Sequence, residues 1–250
     1  MSLRYFIHLS YFGKSFHGWQ VQPNAVSVQE VLNTQLSLLC GEKVYAVGAG
    51  RTDTGVHAKQ MYAHFDTEKR WDENLTYRLN KMVGPDVAIK EVVEVSAEAH
   101  TRFDAIYREY EYKVVQYKDP FLQDLVWYVP YDLDFTLMNK AAEFLLGKRD
   151  FGAFSRSNTQ VKTNICKVQR AEWQQLSGHW VFYIGSDRFL RNMVRAIVGT
   201  LVQVGCGKLD VNNIKEILES KDRSKAGESA PAHGLYLTKV IYPKEILAHG

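Results

Sequence analysis

Asp53 lies in the stretch Gly50-Arg51-Thr52-Asp53-Thr54-Gly55-Val56-His57, where a carboxylate and a guanidinium two residues away are bracketed by glycines. Glycines on both sides let the backbone approach a bulky ligand closely. A carboxylate held there has the chemistry of a nucleophile, or of a counter-charge to a developing cation. Two plainer readings compete. An Asp in a tight loop commonly bonds its own backbone to make the turn. Asp53-Thr54-Gly55 also has the form of the aspartic protease triplet, which follows an apolar strand and works with a second carboxylate sharing one proton. Here Arg51-Thr52 precedes it, and only a second copy of the chain would supply another such triplet.

The elements that position this loop follow from periodicity and punctuation. Residues 4–11, rich in Tyr, Phe, Ile and Leu, read as a strand leading into a Gly13-Lys14-Ser15 turn. Ser27-Val28-Gln29-Glu30 is a capping-box pattern, and the apolar spacing after it predicts a helix over 28–40 closed by Gly41. Strands are expected at 43–49 and 60–65 on either side of the Asp53 loop. A short helix at 75–82, stopped by Gly84-Pro85, and a strand at 87–95 complete a β-α-β-β-α-β-like order. The alternating run from Tyr107 to Val115 opens a second set. It comprises a helix at about 135–146, strands near 167–173 and 180–184, helices near 190–204 and 211–220, and a last strand at 235–241. Residues 117–130 form a long irregular connection of a length that is often functional. The expected division is 1–104, carrying the Asp53 loop, and 105–250.

Composition narrows the class. With 46% hydrophobic and 24% charged residues among 250, the chain has the make-up of a globular protein with a sizeable core. The start shows no apolar run before a small-residue cleavage site, and no run of about 18 apolar residues occurs, so a cytoplasmic location is expected. Cys40, Cys166 and Cys206 are far apart, odd in number and without a C-x-x-C pairing, which points to reduced thiols, two of them facing the core. His57 and His64 lack the spacing of a zinc motif, so no metal site is expected. The net charge of +3 is unevenly spread. From Gly147 to Arg195 nine cations (Lys148, Arg149, Arg156, Lys162, Lys167, Arg170, Arg188, Arg191 and Arg195) oppose only Asp150, Glu172 and Asp187, leaving the rest of the chain net negative. Such a stretch suits a polyanion held through phosphate contacts, or is simply a solvated basic face.

Seven ordered blocks carry a resemblance spanning nearly the whole chain. They are Tyr11-Phe12-Gly13 with Gly18-Trp19-Gln20, the Asp53 loop itself, Arg102-Phe103, Arg108-Glu109-Tyr110-Glu111-Tyr112, Asp150-Phe151 with Phe154-Ser155, Met193-Val194-Arg195, and Gly234-Leu235-Tyr236-Leu237. Together they resemble the tRNA pseudouridine synthase A family, whose signature around the Asp reads G-R-T-D-A-G-V-H. Three positions depart from the pattern: Thr54 replaces Ala, Phe12 stands where Asp is usual, and Arg149 stands where His commonly precedes the Asp-Phe pair.

The resemblance implies an α/β (α+β) protein with the pseudouridine synthase fold, two related units with a joined, mainly antiparallel sheet and a central catalytic cleft. It implies isomerisation of uridine to pseudouridine at positions 38 to 40 of the tRNA anticodon arm, by a homodimer and with no cofactor. Asp53 is then the catalytic carboxylate. Tyr110 would stack on uracil near C5, Arg195 would supply the cation that keeps a shielded Asp53 ionised, and Arg51 would assist extrusion of the base. For each a structural role is the alternative: a core tyrosine, a solvent-facing helix residue and a phosphate clamp, respectively. A tRNA-binding protein without catalysis, acting as a folding chaperone, is the rival function, and an aspartic protease the third.

Overall fold

The computed structural model describes residues 2–156 and 162–247. In chain order the elements are β1 (Leu3–Tyr11), α1 (Val28–Cys40), β2 (Val47–Gly48), β3 (His57–Thr67), α2 (Leu75–Asn80), β4 (Val87–Val95) and β5 (Tyr107–Val115). They continue with β6 (Trp127–Tyr128), α3 (Phe135–Glu143), β7 (Gly147–Asp150), β8 (Ile165–Leu176), β9 (His179–Ser186), α4 (Met193–Gly205), α5 (Asn213–Ser220), β10 (Leu235–Ile241) and α6 (Lys244–Leu247).

Two compact units result. The first runs through Tyr107 and takes in the segment beginning at Leu237; the second is Arg108–Tyr236. In the first, the strands lie in the order β4, β1, β3, β10, with β2 also on β3. β1 is antiparallel to both β3 and β4, in registers such as Tyr5 opposite Phe65 and Ile7 opposite Val92. Phe6, Ile7, Leu9, Met61 and Phe65 are wholly buried, as expected where β1 and β3 are interior strands. The late segment is tied to this unit by polar contacts. The Val240 amide donates to Gln60 Oε1 at 2.7 Å, and the Tyr242 hydroxyl donates to the Thr101 carbonyl at 2.7 Å.

The helix over 28–40 forms as its capping box dictates. Ser27 Oγ accepts from the Glu30 amide, and Gly41 ends the helix in the left-handed region at φ 73°. The strand expected over 43–49 shortens to Val47–Gly48. Side chains of α1 occupy the backbone groups before it: Ser37 Oγ accepts from the Val44 amide, and Asn33 Oδ1 from the Ala46 amide. Asn80, the last residue of α2, pairs both its side-chain amide atoms with the Ile89 backbone, which ties that helix to β4.

In the second unit β5, β9, β8 and β7 lie in that order, antiparallel throughout, and β6 pairs in parallel with β5. Sequence patterning does not reveal β6 and β7. β7, Gly-Lys-Arg-Asp, has no apolar alternation and owes its strand form to pairing with β8, Arg149 opposite Cys166. β6 is two residues inside the long connection, and α3 ends at Glu143 rather than near 146. Of the three cysteines only Cys166 is buried; Cys40 and Cys206 are half-buried, so one thiol faces the core rather than two. Among the described residues no helix is long and apolar enough to cross a membrane.

Candidate active site

The Asp53 loop joins β2 to β3 in the first unit. It turns where the Val56 amide donates to the Asp53 carbonyl at 3.1 Å, with Gly55 at φ 79°, a conformation L side chains rarely adopt. Thr52 is buried, Asp53 half-buried and Arg51 exposed.

A second segment, from the end of β1 to Trp19, lies along this loop and fixes its backbone. Tyr11 Oη and Thr52 Oγ1 share a hydrogen bond of 2.8 Å between buried groups. The Trp19 amide donates to the Thr52 carbonyl at 3.2 Å, and the Gly55 amide to the Phe16 carbonyl at 3.3 Å. The approach is so close that a Cβ on Gly18 would overlap the Thr52 carbonyl oxygen, and a Cβ on Gly13 would overlap that of Val56. The Trp19 ring is buried against Gly48, where again no Cβ fits.

Helix α1 anchors this segment in turn. Its first two amides, Val28 and Gln29, donate to the Gly18 and Trp19 carbonyls at 3.2 and 3.0 Å, so amides otherwise orphaned at a helix start are satisfied by the segment that holds Asp53 in place. The blocks Tyr11-Phe12-Gly13 and Gly18-Trp19-Gln20 are where the sequence marks this segment, but nothing in their spacing says what they touch.

The remaining candidates belong to the second unit. Tyr110 lies on β5 opposite Ile184, is buried, and meets Phe189 edge-on with centroids 5.0 Å apart. On the same face, Tyr112 is fully buried and donates its hydroxyl to the Pro231 carbonyl at 2.8 Å. Burial pushes the Tyr112 phenol well above its ordinary range, opposed in part by the charge of Arg195. Arg195 is the third residue of α4 and half-buried. Its Nε donates to the Ala230 carbonyl at 2.7 Å, while its own carbonyl accepts from the Ala230 amide at 3.0 Å. The guanidinium is therefore held against the backbone of Ala230.

The basic stretch divides into two kinds of cation. Lys148, Arg149, Arg156, Lys162, Lys167 and Arg191 are exposed. Arg170 is not of this kind: it bridges Glu109 at 3.3 Å and Glu172 at 2.8 Å and stacks over the Tyr183 ring. The Arg156 amide donates to the Arg191 carbonyl, which puts two of the exposed arginines side by side.

A family model described as tRNA pseudouridine synthase matches residues 141–243. The chain is 50% identical over 245 residues to the tRNA pseudouridine synthase A of Parabacteroides distasonis, covering 97% of each chain. It is 50% identical to that of Porphyromonas gingivalis, covering 97% of this chain and 98% of that one, and 49% identical to that of Bacteroides thetaiotaomicron, covering 98% and 93%. Identity of this extent over both compact units, with the Asp53 loop built as described, means that the chain belongs to the tRNA pseudouridine synthase A family.

Proposed function

We propose that this protein isomerises uridine to pseudouridine in tRNA, at positions 38 to 40 of the anticodon arm, with Asp53 as the catalytic carboxylate. The observation that carries the reading is a carboxylate on a loop whose backbone is clamped from both flanks, in a chain half identical to tRNA pseudouridine synthases A along nearly its whole length.

The reaction breaks the bond from ribose C1′ to N1, turns the uracil and forms a bond from C1′ to C5; the C5 proton leaves and N1 gains one. No atoms or electrons are exchanged with a second substrate, so the chemistry calls for no cofactor. An ionised Asp53 bonds to the migrating fragment or balances the positive charge developing at the sugar. Tyr110 stacks on the uracil, with its hydroxyl toward C5. Arg195 contributes a fixed positive charge to substrate binding. Arg51 is exposed and assists extrusion of the target nucleotide from its stack. The six exposed cations of the basic stretch meet the phosphates of the RNA. The working form is a cytoplasmic homodimer with one tRNA touching both subunits; a stable monomer in gel filtration with light scattering would overturn that part.

The test is release of tritium from C5 of uridine in unmodified tRNA, for the wild type and Asp53→Asn, with a metal chelator present. Release by the wild type alone is expected. If neither protein releases tritium while both bind tRNA, the protein is a tRNA-binding protein and not a synthase.

A further inference from the structure

We propose that His57 is a positioning residue for the reaction, the latch that fastens the segment from Tyr11 to Trp19 over the Asp53 loop; this rests on the reading of Asp53 as the catalytic carboxylate. β1 and β3 pair as far as Tyr11 opposite Ala58. Beyond that rung the chains diverge, and the Gly13 amide finds its partner in a side chain: it donates to His57 Nδ1 at 2.9 Å, with Gly13 and His57 both buried. Nδ1 must therefore be the unprotonated nitrogen, and the ring proton sits on Nε2. Phe12 stacks on the imidazole, with centroids 4.6 Å apart and planes 22° from parallel, which fixes the ring plane and so the direction of the Nδ1 lone pair. This is the residue that replaces the family's usual Asp, so an apolar face here does the orienting.

From this point the geometry is transmitted by backbone contacts. Gly13 lies against the Val56 carbonyl with no room for a Cβ. Phe16 then accepts from the Gly55 amide, and Trp19 donates to the Thr52 carbonyl. Gly18 packs beneath the peptide that joins Thr52 to Asp53. If Nδ1 is lost, the buried Gly13 amide has no acceptor, the segment lifts, and the peptide carrying Asp53 loses one wall. Displacement of a reacting group by about 1 Å costs roughly 100-fold in rate, whereas contacts of the RNA elsewhere are untouched. The latch thus acts on kcat and not on KM.

The experiment compares His57→Leu, which keeps apolar bulk but removes the acceptor, with His57→Asn, whose amide oxygen reaches the place of Nδ1. Turnover is measured by tritium release alongside Asp53→Asn. For His57→Leu a fall in kcat of roughly 10- to 100-fold with KM changed less than about threefold is expected. His57→Asn should recover kcat to within about threefold of the wild type. Equal losses in the two variants, unchanged kcat in His57→Leu, or a loss confined to KM would each overturn the latch. Amide exchange on the wild-type protein tests it without any variant: the Gly13 amide should be protected together with those of Trp19 and Gly55, and fast exchange at Gly13 would refute the bond on which the proposal stands. If Asp53→Asn remains active, the catalytic reading fails; if it is inactive while His57→Leu turns over normally, the latch alone fails.

Discussion

Burial lowers the ring pKa of His64 from 6.5 to about 4, helped by the charges of Arg4 and His100. The ring lies among core side chains of β3, with Nδ1 and Thr101 Oγ1 2.8 Å apart. Because the folded form refuses a proton that the unfolded form accepts, the stability this neutral ring contributes is complete above pH 6.5, declines as the pH falls below it, and is lost by about pH 4. The shift corresponds to about 3 kcal/mol. Urea unfolding at pH 7.5 and 4.5 should show a drop from this source that His64→Gln removes, and an equal drop in the variant would exclude it. Under the proposed chemistry Tyr110→Phe should lose turnover far more than tRNA binding, and equal losses would leave Tyr110 a packing residue. At this scale the sequence singles out residues where chemistry and spacing coincide, as at Arg51 and Asp53. It was silent on Tyr11 and His57, because their partners Thr52 and Gly13 lie more than forty residues away in the chain and only strand pairing brings them together.

Elements were legible wherever a local signal sufficed. Ser27, Glu30 and Gly41 give both ends of α1, and the alternation of β5 survives intact. They were not legible where another element supplies the hydrogen bonds, as for β7 on β8 or for residues 44 and 46 on the side chains of α1. α1 does more than pack, since its first amides hold Gly18 and Trp19. Ser27→Ala removes the acceptor for the Glu30 amide and should cost about 1 kcal/mol of stability. Gly18→Ala is a harsher change, for φ is 81° and the new methyl meets the Thr52 carbonyl. Activity should be lost there while thermal unfolding shows the remainder of the fold intact; full activity would mean that the Asp53 loop tolerates movement.

For the molecule as a whole, charge distribution and chain path are the informative quantities. The exposed cations from Lys148 to Arg191 predict tRNA binding that weakens steeply with salt. Arg156→Glu with Arg191→Glu should flatten that dependence without changing the unfolding temperature; an unaltered salt slope would show that the RNA contacts other groups. The chain path is equally specific. The first unit uses β10, and just beyond that strand Tyr242 packs edge-on against Phe6 and Tyr62, so Tyr242→Ala should cost about 3–5 kcal/mol. Translation delivers β1 to β4 early, yet the strand that covers β3 leaves the ribosome only after the entire second unit has been made. The half that carries Asp53 is begun first and finished last. Until then it presents an uncovered sheet edge, so the nascent chain depends on holding factors or on quick completion of synthesis, and messages cut short within the second unit yield aggregates instead of a smaller working enzyme.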